Sequence, residues 1–576
     1  MNWPIGTAWR QWWGPVFLVL ALAGPNAIYL SDLMAQRSLG DADSFPAVYD
    51  SLVVAGLNLL LIGAGLYCYR WTLARRVVHI VLLFILLDVF YRIAYGGPVT
   101  PGLLQAVQQT SQQETLELLA GHPALTVSLS LVALGALVAL GTAWRSRIQV
   151  SSTACLVTAA AGLCLLVVSV TTATTLTRPR AGCCARAIER AGGAFPVDVA
   201  WSLGSVAVDG YRSRRAAATR SAFTFSNVRM RQAASRRETR EVYVIVVGET
   251  SRRQNWSLFG YRRRTNPELE ALAADLVRYR ALSNATNTVL SLPMALTRAT
   301  PETRDRIHSE KSIVTLLRQA GFETFWLSNQ ERPGLPSNPI YQIAAEAQHV
   351  SFHGEATAAS GADPFDTNLL GQLDAAVSAL PANGKAVIFL HMEGSHFSYK
   401  ERYPPQFERF VSTSDLPASL SDPQRRLINQ YDNSVAFTDH VLAGVLSRLI
   451  ACDCQAAMLF FSDHGERLFD NGAGDSDFGH GFPEIARQEI EIPLLAWFSP
   501  AYRREYPGPV RQIMANSRRT AELHGLFETI VDLVGVDYDG RDAATSLFSD
   551  RWQAPSAVNV LSMNDQTITF PVGDGS

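Results

Sequence analysis

Residues 242–248 read Val-Tyr-Val-Ile-Val-Val-Gly, and Glu249 and Thr250 follow them directly. A continuous run of β-branched and aromatic residues is typical of a strand that is buried on both faces. Such strands belong to parallel sheets that are covered by helices on each side. The run therefore predicts a central strand of an α/β domain, with two polar side chains at its carboxyl end.

Similar apolar runs alternate with helical segments further along the chain. More strands are predicted over residues 323–327, 386–391, 456–462 and 490–497. Helices are predicted over residues 312–320, 373–380, 427–450 and 520–534. This alternation predicts an α/β domain with a mostly parallel sheet over residues 241–556. Residues 557–576 are expected to be a polar tail.

Five apolar segments precede that domain, over residues 14–34, 51–69, 77–95, 124–143 and 150–176. Each is about as long as the ~20 residues that a helix needs to cross a bilayer. They predict a five-helix transmembrane domain over residues 1–176, followed by a juxtamembrane bridge or linker over residues 177–240. Pro25 and Asn26 interrupt the first segment, for which a cleaved signal peptide is the alternative. No small-residue cleavage site is evident, and Trp12 and Trp13 are typical of interfacial anchors, which favours an uncleaved helix.

The charges between these segments predict their orientation. The N-terminus and the second and fourth connections carry only basic residues: Arg10, Arg70, Arg75, Arg76, Arg145 and Arg147. The first and third connections are mainly acidic: Asp41, Asp43, Asp50, Glu114 and Glu117. The positive-inside rule then places the N-terminus in the cytoplasm and everything after residue 176 outside.

The overall composition agrees with a chain that lies partly in a membrane. The 576 residues include 50 Lys and Arg and 52 Asp and Glu, which gives a net charge of −2 and no global electrostatic case for a nucleic-acid partner. Charged residues make up 18% of the chain, below the ~25% that is usual for soluble proteins. The mean hydropathy is +0.06.

Asp88 and Arg92 are charged residues inside the third apolar segment, four positions apart and so on one helix face. They are either a polar functional site within the bilayer or a self-neutralised pair near its outer edge, with Arg92 snorkelling towards the headgroups.

Carboxylates and histidines follow three of the predicted strands. Ligands of open α/β sheets bind at the carboxyl ends of the strands. The residues concerned are Glu249 after the first strand, Glu393 and His396 after residue 391, and Asp463, His464 and Glu466 after residue 462. His480 lies on a Gly- and Asp-rich loop further on, and His391 itself ends a strand, where it is either a ligand or a core histidine. Carboxylate oxygen and imidazole nitrogen from separate elements form a ligand set for Zn²⁺ or a similar cation. A second Asp-His pair, Asp439-His440, lies inside a predicted helix and is not expected to bind a metal.

Residues 283–293 read Ser-Asn-Ala-Thr-Asn-Thr-Val-Leu-Ser-Leu-Pro and contain the candidate nucleophile. Helical periodicity over residues 289–298 puts Thr288 near a helix start, where free N–H groups and the helix dipole favour negative charge. A hydroxyl held there against a metal can be deprotonated and accept a phosphoryl group. The alternative is an N-cap, the commoner role of Thr and Ser before a helix.

Several longer blocks resemble a known family. Residues 247–261 read Val-Gly-Glu-Thr-Ser-Arg-Arg-Gln-Asn-Trp-Ser-Leu-Phe-Gly-Tyr, and residues 265–269 read Thr-Asn-Pro-Glu-Leu. Residues 325–330 read Phe-Trp-Leu-Ser-Asn-Gln, and residues 461–466 read Phe-Ser-Asp-His-Gly-Glu. With residues 391–404, these blocks resemble the phosphoethanolamine transferases of Gram-negative inner membranes. Those enzymes are five-helix membrane proteins whose periplasmic domain belongs to the alkaline phosphatase/sulfatase superfamily.

The resemblance implies a role for each matching residue. It implies that Glu249, Asp463 and His464 bind the catalytic Zn²⁺ together with the nucleophile Thr288, for which Thr286 is the fallback if the local register slips. Four further residues would line the phosphoethanolamine site or hold a second zinc: Asn329, His396, Glu466 and His480. Zinc is expected rather than Mn²⁺ or Mg²⁺. The implied reaction moves phosphoethanolamine from phosphatidylethanolamine, through a covalent intermediate on Thr288, to a lipid A phosphate or a core sugar of lipopolysaccharide.

Some positions depart from the family pattern. The sulfatase nucleophile motif, Cys or Ser followed by x-Pro-x-Arg, is absent, which argues against a sulfatase on the same fold. Lipid A-modifying members have cysteines beside the nucleophile segment, where this chain has Asn284 and Met294, so the Cys-poor, core-modifying members look closer. The cysteines outside the membrane segments are Cys183, Cys184, Cys452 and Cys454, and the sequence does not assign a disulfide between the two pairs.

Three alternative functions stay open. A phosphoglycerol transferase or a phosphodiesterase on this fold would use the same metal and threonine. A non-enzymatic membrane sensor would bind no metal.

Overall fold

The computed structural model describes residues 19, 23–31, 45–68, 85, 88–89, 91–92, 98–109, 126–127, 130, 134, 151–176, 193–231, 240–333, 338–353, 364–470, 477–482, 484–563 and 566–572. Large parts of the spans predicted over residues 14–34, 77–95 and 124–143 lie outside the described residues, as do Cys183 and Cys184. The chain divides into two compact units, residues 1–104 with 119–208 and residues 105–118 with 209–576.

The described helices before residue 229 are α1 (Phe45–Cys68), α2 (Pro101–Gln109), α3 (Ser152–Leu176) and α4 (Val197–Ala222). Helices α1 and α3 approach each other closely because glycines face the contact. A Cβ atom at Gly56 would lie 2.9 Å from the backbone nitrogen of Leu166, and one at Gly63 or Gly162 would overlap the backbone of the opposite helix. Small residues at the contact are typical of helices that pack inside a membrane.

The strands of the second unit are β1 (Arg229–Met230), β2 (Glu241–Gly248), β3 (Leu276–Leu282), β4 (Glu323–Ser328), β5 (His349–Ser351), β6 (Lys385–His391), β7 (Gln455–Ser462), β8 (Arg467–Leu468), β9 (Phe478–Gly479), β10 (Glu491–Phe498), β11 (Ala521–Glu522), β12 (Val536–Asp537), β13 (Ala557–Leu561) and β14 (Thr567–Pro571). Its helices are α5 (Pro267–Ala271), α6 (Thr288–Ala295), α7 (Arg306–Ser309), α8 (Ile313–Gln319), α9 (Pro339–Ala344), α10 (Asn368–Ala379), α11 (Asp422–Ala451), α12 (Arg487–Ile490), α13 (Pro500–Glu505), α14 (Pro507–Asn516) and α15 (Leu526–Leu533). Single 3₁₀ turns lie at Arg253–Asn255, Ser257–Phe259, Tyr399–Arg402, Pro405–Phe407, Leu523–Gly525 and Ala543–Thr545.

Eight of these strands form one sheet in the order β11-β3-β10-β7-β2-β6-β4-β5. Only β10 runs antiparallel to its neighbours, β3 and β7, and the other pairs are parallel. The mostly parallel sheet predicted from the sequence is confirmed. Every residue of β2 is buried, as expected of a central strand. Tyr243 and Val247 belong to the core on one face, and Val244 and Val246 to the core on the other.

The carboxyl ends of four central strands lie side by side. Gly248 of β2 pairs with Ser462 of β7, and His391 of β6 pairs with both Val247 and Ser328. The loops that leave these strands therefore begin at one edge of the sheet, where the sequence predicted the polar site.

Three features of the second unit differ from the sequence expectations. Strands β3, β5 and β11 were not predicted, because Arg278 and Arg280 interrupt the apolar residues of β3, and β5 and β11 have only three and two residues. The helix expected over residues 520–534 begins later, since β11 and a 3₁₀ turn occupy its first residues. Residues 557–571 are not a polar tail but a hairpin of β13 and β14. Val558, Val560 and Leu561 of this hairpin are buried, and Leu561 forms a bridge with Ala285 in the nucleophile segment.

The cysteine pairing also differs from the one considered. Cys452 and Cys454 form a disulfide with each other, with 5.2 Å between their Cα atoms. A bond between this pair and Cys183 or Cys184 is therefore excluded, because both sulfurs are already taken.

Two described helices are long and apolar enough to cross a membrane, α1 over Ser51–Cys68 and α11 over Asp422–Ala451. Helix α11 is mostly buried in the second unit, as a core helix is, and residues Ser152–Val168 of α3 form a shorter apolar stretch. The number of five crossings stays a prediction.

The charged pair of the third apolar segment lies in a larger buried cluster. The Arg92 Nε atom is 2.7 Å from Asp88 Oδ2, and its Nη2 atom is 2.7 Å from Asp198 Oδ2. The same Nη2 donates to the carbonyl oxygen of Gly193 at 2.8 Å. The snorkelling interpretation is wrong, since the Arg92 side chain is fully buried and has a second carboxylate partner.

Candidate active site

Three side chains meet where β2 and β7 end. Glu249, Asp463 and His464 each offer a ligand atom, and these atoms lie within 4.8 Å of one another. All three residues are buried. Among the described residues this is the group of acidic and histidine side chains that is close enough to hold one metal ion.

The orientation of His464 fits metal binding. Its Nδ1 atom is 2.8 Å from the carbonyl oxygen of Gly465, which can only accept, so Nδ1 carries a proton. The Nε2 atom points at Glu249 Oε1, 3.4 Å away, and at Asp463 Oδ2, 3.5 Å away. A backbone carbonyl that fixes the tautomer in this way is typical of zinc-bound histidines.

A buried oxygen of Asp463 gives a second sign of a cation. Its Oδ1 atom accepts the N–H groups of Thr250 and His464, whereas its buried Oδ2 atom accepts no hydrogen bond within the described part of the chain. An unpaired buried carboxylate oxygen is costly. The donor set of two carboxylates and one imidazole matches what a divalent cation such as zinc requires.

The three side chains of the trio shift one another's pKa values. Burial alone raises the pKa of Glu249, but the hydrogen bond and charge of His464, with the charge of His396, bring that pKa well below its usual value. Burial and the charge of Glu249 raise the pKa of Asp463 to about 6. Burial lowers the pKa of His464, but the charges of Asp463 and Glu249 outweigh it and raise the pKa to about 10. The pocket thus favours positive charge between the two carboxylates.

Thr288 is the first residue of α6 and lies against this trio. Its Oγ1 atom is 3.1 Å from both carboxylate oxygens of Glu249 and 3.4 Å from His464 Nε2. The N-cap role belongs to Asn287, whose side chain accepts the N–H of Leu290, and the Thr288 hydroxyl is therefore not used as a cap. Thr286 is buried, and its Oγ1 atom has no hydrogen-bond partner among the described residues.

The backbone beside Glu249 is strained. Thr250 has a φ angle of +53°, a left-handed conformation that is rare for a β-branched residue. Its hydroxyl donates to Glu249 Oε1 at 2.6 Å, its N–H donates to Asp463, and its carbonyl accepts the Tyr431 hydroxyl at 2.8 Å. Strain that is held by several such bonds is a recurrent feature of functional sites. Gly394 packs on the other side, where a Cβ atom would lie 2.8 Å from the carbonyl oxygen of Glu249.

Two serines hold the main chain of Asp463 in place. The Ser283 hydroxyl, just after β3, and the Ser291 hydroxyl, on α6, both donate to its carbonyl oxygen, the latter at 2.7 Å. Helix α6 and the loop after β7 are thereby joined.

The family model described as Sulfatase matches residues 241–536, more than half of the chain. The chain belongs to the sulfatase family. The match runs from the first residue of β2 to the first residue of β12, and so includes the large sheet and every member of the candidate trio.

Curated relatives of the chain carry a narrower name. The chain is 30% identical over 343 residues to phosphoethanolamine transferase EptC of Escherichia coli strain K12, and equally to phosphoethanolamine transferase CptA of Salmonella typhimurium. It is 29% identical over 327 residues to phosphoethanolamine transferase EptA of Salmonella typhimurium. The matches to EptC and CptA span 58% of this chain and 58% of the relative's length.

Solved structures agree with the sulfatase fold. The periplasmic domain of EptC from Escherichia coli matches with a TM-score of 0.54 and 26% identity, covering 61% of this chain and 96% of that domain. A second structure of that domain, a complex with Zn, matches with a TM-score of 0.53 and 28% identity, covering 58% and 93%. The integral membrane protein EptA from Neisseria meningitidis has a TM-score of 0.72 at 19% identity over 92% of this chain and 97% of EptA, which shows the fold alone.

Glu466 and His480 lie next to the trio in the sulfatase domain. The His480 ring is 4.3 Å from the His464 ring, and its Nδ1 atom is 3.2 Å from Glu466 Oε1. The charge of His396 acts on Glu249. The assignment of these three residues to a substrate site stays a prediction.

Asn329 is turned away from the trio. Its Nδ2 atom donates to Asp366 Oδ1 at 3.1 Å, and its Oδ1 atom is 3.2 Å from His353 Nδ1. Asp366 also accepts the N–H groups of Glu393 and Gly394. Asn329 therefore supports the loop that carries His396 and does not itself contact the trio.

Sequence reasoning missed Gln330, the next residue. Its Nε2 atom donates to Glu249 Oε2 at 3.2 Å and to the carbonyl oxygen of Met392 at 3.0 Å. The sequence pointed to Gln330 only through its position two residues after the end of β4. His391 is buried, its Nδ1 atom is 3.1 Å from the Ser328 hydroxyl, its ring packs against Trp326, and it is not part of the trio.

Proposed function

We propose that this protein is a membrane-anchored, zinc-dependent phosphoethanolamine transferase that uses Thr288 as its nucleophile. The observation that carries the proposal is the contact of the Thr288 hydroxyl with Glu249 and His464. These two residues belong to the buried trio that could hold a metal ion. Curated relatives named phosphoethanolamine transferase support it. The chain spans 58% of the length of EptC and CptA, and we propose that it shares their activity.

The first step is a transfer to the protein. The Thr288 oxygen loses its proton and forms a bond to the phosphorus of phosphatidylethanolamine, while the bond from phosphorus to the diacylglycerol oxygen breaks. That oxygen takes up a proton and leaves as diacylglycerol. Phosphoethanolamine remains on Thr288 as an ester.

The second step releases the group to an acceptor. A hydroxyl or phosphate oxygen of lipopolysaccharide attacks the same phosphorus, and the bond to Thr288 breaks. The threonine oxygen regains a proton, which returns the protein to its starting state.

Glu249, Asp463, His464 and the Thr288 oxygen would hold the zinc ion. Bound zinc lowers the pKa of a hydroxyl and neutralises charge on phosphoryl oxygens. The chain's own residues position the group: Gln330 fixes the Glu249 carboxylate, and Gly465 fixes the His464 ring. Glu466, His396 and His480 would contact the phosphoethanolamine group or bind a second ion.

The membrane segments have a role in this proposal. Donor and acceptor are both lipids, and anchoring the domain beside them raises their effective concentration at the site. We propose five crossings of a bacterial inner membrane, with the N-terminus in the cytoplasm and residues 241–556 in the periplasm.

The test is a trapped intermediate. The full chain in detergent micelles with zinc is incubated with labelled phosphatidylethanolamine and no acceptor, then digested and analysed by mass spectrometry. A phosphoethanolamine adduct on the peptide that contains Thr288 is expected. A phosphoglycerol adduct after incubation with phosphatidylglycerol would overturn the donor assignment, and rapid release of free phosphoethanolamine to water would mark a hydrolase.

The acceptor is tested in cells. Lipid A and core oligosaccharide are isolated separately from strains with and without the protein, and the mass of each fraction is measured by mass spectrometry. A mass increase of one phosphoethanolamine in either fraction supports the transfer to lipopolysaccharide, and no increase in either would contradict it.

A further inference from the structure

A cavity of about 720 Å³ in the second unit is lined by four arginines. They are Arg278 and Arg280 from β3, and Arg518 and Arg519 from the segment that leads into β11. None of the residues of the Thr288 site lines this cavity. It is therefore a separate feature, and nothing in the proposed transferase reaction uses it.

The sheet brings these arginines together. Along β3 the burial alternates: Val277, Tyr279 and Ala281 are buried in a core, whereas Arg278 and Arg280 point to the opposite face and are exposed. Strand β11 runs parallel to β3, with Ala521 beside Ala281. The residues just before β11, Arg518 and Arg519, consequently lie alongside the arginines of β3.

Unlike other arginines of this domain, these four have no carboxylate partner within the part of the chain that the structure describes. Arg252 pairs with Asp470, and Arg263 with Asp432. In the cavity, Arg278 donates to the carbonyl oxygen of Leu258 at 3.1 Å, and within the described residues none of the four forms an ion pair. No carboxylate is among the lining residues.

Like charges that share a cavity repel each other, and the repulsion is relieved when an anion enters. The planar fork of arginine matches the oxygens of a phosphate group and binds it through two parallel hydrogen bonds. Four guanidinium groups, two on β3 and two on the segment before β11, suit a group with several oxygens and more than one negative charge. The lining also includes the apolar residues Leu258, the half-buried Phe259 and Pro555, which offer a surface for the carbon skeleton that carries the phosphate.

We propose that this cavity is a binding site for a phosphate monoester group carried on a larger molecule. The side chains of the four arginines bind the phosphate oxygens, and the apolar lining residues contact the attached skeleton. The carrier is either a phosphorylated sugar or the headgroup of a phosphorylated lipid, which share this chemistry. The proposal is independent of the transfer reaction at Thr288.

Binding is tested by calorimetry on the full chain in detergent micelles with zinc. The probes are glucose 6-phosphate and dihexanoyl phosphatidic acid below its micelle concentration, with glucose as the uncharged reference. The variants are the double substitution R280Q/R519Q and the control R426Q, which removes an exposed arginine at the start of α11. The Thr288 site is intact in all of them, so a change in affinity belongs to the cavity.

The expected result is saturable binding of at least one phosphate probe to the wild-type chain and the R426Q control. Loss of a charge-assisted hydrogen-bonding group weakens binding by about tenfold, so R280Q/R519Q is expected to bind about a hundredfold more weakly. Tighter binding of glucose 6-phosphate identifies the sugar as the carrier, and tighter binding of phosphatidic acid identifies the lipid. Raised salt should weaken the interaction as well.

Two outcomes would overturn the proposal. One is the absence of binding of either probe to the wild-type chain. The other is equal affinity in the wild type and R280Q/R519Q. The side chains are exposed and the double variant is expected to fold, which its melting temperature checks; the single exposed change R518Q, with an expected loss of about tenfold, serves if it does not.

Discussion

The hydroxyl of Thr288 lies 3.1 Å from each carboxylate oxygen of Glu249, across 39 positions of sequence. Helix α6 supplies the hydroxyl and the loop after β2 supplies the carboxylate. Asn287 caps the helix, which leaves the threonine oxygen available for chemistry. This contact joins the candidate nucleophile segment to the candidate metal-ligand trio, and the predictions that follow depend on it.

Replacing Thr288 with alanine should reduce transfer by about a thousandfold or more, because the group that forms the covalent intermediate is lost. Thr288→Ser should keep substantial activity, since it retains a hydroxyl at the same place. Thr286→Ala is the matched control, because its hydroxyl contacts no polar group among the described residues. Labelled adduct formation measures all three, and loss of the adduct in Thr286→Ala alone would move the nucleophile to that residue.

Asp463→Asn should remove the tightly bound metal. The substitution takes a negative charge from a buried oxygen that has no hydrogen bond within the described structure. The zinc content after dialysis, measured by elemental mass spectrometry, should fall from about one ion per chain towards none. His440→Gln is the control: His440 belongs to the other Asp-His pair and lies 3.0 Å from Glu268, so its loss should leave the zinc content unchanged. Full zinc content in Asp463→Asn would contradict the ligand assignment.

Gln330→Ala should lower the rate of transfer by about tenfold and keep the metal, since the side chain positions Glu249 without being a ligand. Gln330→Glu would place a like charge beside Glu249 and should lower the rate further. The ratio of kcat to zinc occupancy separates this positioning role from metal loss. An unchanged rate in Gln330→Ala would show that Glu249 needs no such support.

Burial of His391 lowers its pKa to about 4 from the ordinary value of 6.5. Between these two pH values the unfolded chain binds a proton that the folded chain does not, so stability is present above pH 6.5 and is lost as the pH falls towards 4. At pH 5 the loss amounts to about 2 kcal/mol. The melting temperature of the full chain in detergent should therefore fall less between pH 7 and pH 5 in His391→Asn than in the wild type. Parallel curves would show that His391 does not titrate in this way.

Arg92→Met should destabilise the first unit by about 3–5 kcal/mol, because it leaves Asp88 and Asp198 buried without their cation. Arg212→Met is the control, since Arg212 forms an exposed pair with Asp209 that contributes about 1 kcal/mol at most. Thermal unfolding of the full chain in detergent compares the two. A melting temperature of Arg92→Met equal to that of the control would assign no structural role to the buried cluster.

Five of the eight strands of the large sheet, β2, β4, β6, β7 and β10, could be read from the sequence because burial on both faces requires apolar residues throughout. The strand predicted over residues 242–248 is β2 with one further residue, and the strands over 386–391 and 456–462 extend by one residue each. Strand β3 was missed because its arginine face is not covered by a core. The hairpin after residue 556 was missed because its buried residues alternate with polar ones over only five positions per strand.

The candidate site was predictable where its residues directly follow a strand. Glu249, Asp463 and His464 could be grouped because parallel strands end at one edge of the sheet. Asn329 and Gln330 are neighbours after β4, and sequence could not tell which of them turns towards Glu249. That choice depends on Asp366, which binds Asn329 from 37 positions away.

By itself, the sequence determined the α/β order, the sheet edge at which the polar residues collect and the apolar segments before them, because these follow from local hydrophobic patterns. Only the tertiary structure decided that Thr288 rather than Thr286 faces Glu249, that Arg92 pairs with Asp198, and that four arginines from β3 and the approach to β11 share one cavity. These relationships depend on strand register and on how loops close over long sequence separations. Local preferences do not encode such contacts, since each is fixed by the packing of the whole unit around it.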